Sequence, residues 1–101
     1  MAAITGTKAV CTEFAGYYKT VVLTSTLTEA TDTITVTAAS HGISTIDGIV
    51  SIALTAGMDE NCVFLQASFS GAVLTIKSFK DGGVAADAWT DTTVTVTVIG
   101  H

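Results

Sequence analysis

The chain contains no proline and no arginine, and only 13 % of its 101 residues carry charge. Each shortage excludes something. The basic residues are four scattered lysines, Lys8, Lys19, Lys77 and Lys80, set against nine acids for a net charge of −5. Nucleic-acid binding runs on clustered Lys and Arg that neutralise phosphates, so a nucleic-acid partner is excluded. Disordered chains are rich in charge and poor in β-branched residues, the reverse of this composition. No stretch approaches the roughly 18 uninterrupted apolar residues of a spanning helix, so no membrane partner is expected. Metal-site patterns are missing too: neither a CxxC pair nor a zinc spacing is present, and no cofactor is expected. Cys11 and Cys62 stand far apart in strand-like surroundings. They read first as small buried hydrophobes, with a disulfide between them as the alternative and metal or redox chemistry behind both. The opening Met-Ala-Ala-Ile-Thr-Gly has no basic n-region and no apolar h-region, so synthesis in a cytoplasm is expected.

What is present is strand signal. Apolar and Thr residues alternate with period two along the whole sequence, most clearly where Val94, Val96 and Val98 alternate with Thr93, Thr95 and Thr97. Thr33-Ile34-Thr35-Val36-Thr37 repeats the code, and β-branched residues suit a pleated, half-buried surface. No segment carries an apolar stripe at helical spacing for three turns. About six or seven strands are predicted, near 8–14, 17–27, 33–38, 45–55, 61–69, 72–78 and 92–99. Ser70-Gly71 is the best hairpin signal, since Gly supplies positive φ cheaply. Asp32 is placed in a tight turn after Leu27, where its carboxylate can bond nearby backbone. Gly48, inside a strand pattern, marks a bulge or a close backbone contact. The expected fold is all-β, a single antiparallel sandwich over residues 8–101, with a small β-barrel as the alternative. Residues 1–7 are expected to form a flexible N-terminal arm. Surface scaling gives such a chain a folded area of about 5,300 Å². Lacking proline, the sheet edges must be blunted by Lys19 and Lys77 or paired with other copies of the chain.

A search for chemistry returns little. His41, beside Gly42 in a predicted loop, is the one histidine placed for base catalysis, and it reads better as a turn residue. His101 is the final residue and is expected to be loose. No nucleophile elbow, Walker loop, dinucleotide fingerprint or HExxH is present. Asp59 and Glu60 are adjacent in a predicted loop and would point apart rather than face across a cleft. Asp87 and Asp91 flank Trp89, but their spacing matches no calcium loop. The chain is therefore read as binding or building, not as an enzyme. Phe64 and Phe69 are expected in the core. Candidate interface residues are Trp89, the single tryptophan, together with Tyr17, Tyr18 and Ile4 of the arm.

Several stretches carry a resemblance: Glu13-Phe14-Ala15-Gly16-Tyr17-Tyr18 leading into Val21-Val22-Leu23-Thr24, then Ala39-Ser40-His41-Gly42-Ile43. Lys77-Ser78-Phe79-Lys80-Asp81-Gly82-Gly83 and the closing Val94-Thr95-Val96-Thr97-Val98-Ile99-Gly100 complete it. In this style of strand and turn the chain resembles the small β-rich virion proteins of tailed bacteriophages, of the capsid decoration, cement or auxiliary type. The resemblance implies a structural protein in many copies on the capsid surface, bound to the major capsid protein or to copies of itself as a homo-oligomer. It implies neither cofactor nor catalysis. The arm, Met1 to Thr7, would act as a strap whose deletion weakens capsid binding without unfolding the domain. A tail-tube, head-completion or fibre subunit is the first alternative, and a cellular self-assembling or binding module the second.

Overall fold

A computed structural model of the chain describes residues 2–14, 18–56, 62, 64–80, 82–86 and 92–101, with residues 2 and 9–14 described in backbone alone. Eight strands and one short helix follow in order: β1 (Ala2–Ala3), β2 (Thr7–Phe14), β3 (Tyr18–Thr26), β4 (Thr31–Thr35), α1 (Ala38–His41), β5 (Ile46–Ala56), β6 (Phe64–Ser70), β7 (Val73–Phe79) and β8 (Thr93–Gly100). They form two four-stranded sheets, β1-β4-β7-β6 and β2-β3-β8-β5. No described pairing joins one sheet to the other, so the architecture is the sandwich and not the barrel. All pairings are antiparallel except β1 with β4, a parallel match of Ala2 with Asp32 and Ala3 with Thr33. The accessible surface is 5132 Å², close to the value that chain size dictates.

The period-two code sorts the faces as expected. Along β8, Val94, Val96 and Val98 are buried while the intervening threonines are half-exposed. Val21 and Leu23 of β3, Ile34 of β4 and Leu74 and Ile76 of β7 complete the interior. Cys62 lies in this core, fully buried; the side chain of Cys11 lies outside the described residues. Ser70 pairs with Val73 around Gly71-Ala72, with Gly71 at φ 59, so the predicted hairpin forms at the predicted turn. Asp32 lies in β4 and not in the predicted turn, but its carboxylate does hold that turn. Its carboxylate is fully buried and accepts from the backbone N–H of Thr28 at 2.9 Å, from that of Glu29 at 3.3 Å and from the Thr28 hydroxyl at 3.1 Å.

Four further expectations are corrected. A one-turn helix, α1, replaces the end of the predicted strand 33–38, because Thr37 accepts from the Ser40 N–H as N-cap and Gly42 closes the turn at φ 83. Lys19 and Lys77 blunt no edge, since β3 and β7 are inner strands. The β5 edge is instead disrupted by three register shifts, so that its eleven residues oppose eight of β8. Gly48 borders one of these shifts, with open space where a Cβ would sit. Phe64 and Phe69 are not core residues: they are 47 % and 40 % exposed, because β6 is an edge strand and Phe64 faces outward. Finally, His101 is tied down. Its carbonyl accepts from the N–H groups of Ser44 and Thr45, and its own N–H donates to the Thr45 carbonyl.

Candidate interaction surfaces

His41, the candidate base, is committed to the fold. Its ring is buried, its Nδ1 accepts from the Thr37 N–H at 3.0 Å, and its Nε2 lies 2.6 Å from the Gly6 carbonyl. An acceptor role at Nδ1 requires the neutral tautomer with its proton on Nε2, donated to Gly6. Nδ1 thereby braces the N-terminal end of α1, and Nε2 joins α1 to the N-terminal segment. Gly6 is buried in turn, and a Cβ there would come within 2.9 Å of the Ile34 side chain. Ile4 packs against the core, and its N–H donates to the Thr33 carbonyl at 2.8 Å. Residues 2–7, expected as an arm, thus run from the β4 edge of one sheet into β2 of the other.

The C-terminal end gathers a second polar cluster. His101 Nδ1 lies 2.7 Å from Asp47 Oδ2, and the Tyr18 ring meets the imidazole edge-on with centroids 6.2 Å apart. Tyr18 is 39 % exposed. Tyr17 and Trp89 lie outside the described residues, as do Asp59, Glu60, Asp87 and Asp91. Among the described residues no group of three His, Cys, Asp or Glu side chains converges on a metal-sized site. No described helix is long and apolar enough to cross a membrane.

One buried polar atom has no partner among the described residues: the hydroxyl of Thr92, a fully buried residue just before β8 whose carbonyl accepts from the Leu27 N–H. A buried hydroxyl without a bond costs free energy that an isosteric methyl does not. Thr92→Val is therefore expected to stabilise the domain by about 1 kcal/mol, read as a higher denaturant midpoint. A lower midpoint would mean that the hydroxyl is bonded in solution.

The surfaces that remain are the outer sheet faces. On the β3–β8 pair, Thr24 opposes Thr95 and Thr26 opposes Thr93, with Val22 against Thr97 and Thr20 against Ile99. No charged group interrupts these rows. On the other sheet, Thr33 and Ser68 flank Thr75, Gln66 flanks Lys77, and Phe64 stacks on Phe79 with centroids 5.0 Å apart. An open groove of about 480 Å³ separates the N-terminal segment from the ends of β3 and β8, lined by Ile4, Thr5, Thr7, Thr24, Thr26 and Thr93 among others. Hydroxyls and methyls dominate its walls. Sequence reasoning located the Thr ladders but missed the Phe64–Phe79 stack, since nothing in the local pattern marks β6 as an edge.

Comparison with known proteins adds no relative: no family model, no curated protein and no solved structure matches the chain.

Proposed function

We propose that the chain is a structural virion protein of the capsid decoration or cement type, which docks on the major capsid protein and reinforces its shell without catalysis. The observation that carries the reading is the outer face of the β3–β8 pair, a ladder of Thr, Val and Ile with no charge. Such a face can be buried against another protein with few ions to desolvate, and charge is depleted at the cores of protein interfaces. The resemblance of the strand and turn segments to tailed-phage virion proteins supports the same reading. The engagement of His41 by Thr37 and Gly6 assigns that imidazole to the fold.

The N-terminal strap is revised in this proposal. Deleting residues 1–7 would remove the Gly6 carbonyl from His41 and Ile4 from the core, so the deletion tests folding as much as docking. A point change on the outer ladder separates the two. Thr95→Lys is expected to leave the unfolding midpoint nearly unchanged and to reduce strongly the copies retained on particles. The primary test is quantitative mass spectrometry of purified virus particles from the source. One copy per capsid subunit, or one per few, supports the shell role. A handful per particle moves the chain to the tail or neck, and absence from particles overturns a virion role.

A further inference from the structure

We infer that β6 is a self-pairing edge, through which two copies of this chain join in antiparallel register about Ala67. The inference does not depend on the capsid reading. It begins from how the other edges are closed. β5 carries three register shifts, β2 carries one between Lys8 and Val10, and β1 covers the side of β4 away from β7. β6 has none of these devices. Its seven residues, Phe64-Leu65-Gln66-Ala67-Ser68-Phe69-Ser70, pair with β7 in unbroken register, and among the described residues they form no ladder on the other side. The strand holds no charge and no proline, the two features that most often deter edge pairing. A regular, uncharged edge presents a row of N–H and C=O groups whose natural complement is another strand.

The sequence of β6 identifies that strand as a second copy. A two-fold axis at Ala67 sets Leu65 opposite Phe69 of the copy, and Phe69 opposite its Leu65, with the two Ala67 residues between them. All three lie on the inward face, yet each keeps exposed surface because its own sheet ends there. On the outward face the same axis sets Gln66 opposite Ser68 and Phe64 opposite Ser70. Apolar therefore meets apolar along the whole inward face and polar meets polar at the centre of the outward face, where the terminal Phe64–Ser70 match is the one unlike pair. Phe64, 47 % exposed beside Phe79, gains cover from the hairpin end of the copy. Such an interface is isologous and closed, so it stops at a dimer and makes one continuous eight-stranded sheet.

The test uses the whole chain in two forms. Sedimentation velocity over a dilution series is expected to show a monomer–dimer equilibrium. Ala67→Cys, a small change on a half-buried position, is then oxidised mildly and its links mapped by peptide mass spectrometry. Opposed residues in an antiparallel pair sit about 4.5–5.5 Å apart at Cα, within reach of a disulfide, so a link joining position 67 of both copies is expected in high yield. Ser68→Lys, on an exposed outward position, is expected to weaken the dimer about tenfold while leaving the fold intact, and it decides the matter if the cysteine variant does not fold. A monomer at every concentration overturns the inference. So does a dimer that lacks the 67–67 link, or one that Ser68→Lys leaves unchanged.

Discussion

Replacing His41 with alanine is expected to destabilise the domain by about 3 kcal/mol, seen as a lower denaturant midpoint with an unchanged slope. Two losses combine. The Gly6 carbonyl loses its partner in a buried setting and the Thr37 N–H in a part-buried one, and the two orphaned groups together cost about 1–2 kcal/mol. The vacated ring volume adds a cavity term, because packed surroundings relax only in part. His41→Leu separates the contributions, since it fills most of the volume but restores neither bond. It should recover part of the loss and no more. The measurement also decides what the residue is for. A histidine serving a substrate at the surface could be truncated with little effect on stability, so an unchanged midpoint would reopen the catalytic reading.

Gly100→Ala should be of similar size, about 2–3 kcal/mol, for a steric reason. The backbone at Gly100 is pressed against residues 43–45. An added Cβ would collide with the Thr45 carbonyl and meet Ile43 Cδ1 at 2.8 Å. Side chains can turn aside, but the Thr45 carbonyl cannot, because it accepts the His101 N–H at 3.0 Å. Relief therefore means parting the C-terminal strand end from the 43–45 segment, which sacrifices the bonds that Ser44 and Thr45 donate to His101. For a domain of this size the change corresponds to a fall in Tm of roughly 8–20 °C. Gly48→Ala is the natural control, because a Cβ there meets nothing within 4 Å. Equal effects at the two positions would show that close approach at Gly100 is not the cause.

Strand existence was legible because the inside–outside alternation of Thr and Val is itself the physical requirement of a half-buried sheet. The hairpin at Gly71 and the turn held by Asp32 were legible for the same local reason. What escaped was set by partners distant in sequence. The exposure of Phe64 and Phe69 follows from β6 lying at an edge, and the register shifts of β5 follow from its match to β8. Neither is encoded in its own segment. Helix α1 is the instructive exception: Thr37 and Gly42 announce its two ends, but a single turn has too few positions to show helical period. The candidate surface was half legible. The Thr rows of β3 and β8 stand in the sequence, but their side-by-side alignment exists only once the strands are paired. The partner roles of Trp89 and Tyr17 fall outside the described residues.

The placement of β8 between β3 and β5 carries a consequence for the order of events in folding. The β6–β7 hairpin closes across a two-residue loop and needs no distant contact. Sheet β2-β3-β8-β5 is different: its centre forms only when Lys19 finds Gly100 and Thr26 finds Thr93, about two thirds of the chain or more apart. Closing so long a loop is slow compared with hairpin formation. Until it closes, the apolar rows of β3 and β5 stand open beside an empty slot shaped for a Thr-Val strand. In concentrated solution a β8 from a neighbouring molecule competes for that slot. Refolding yield should therefore fall with protein concentration even though the finished sandwich conceals the vulnerable face.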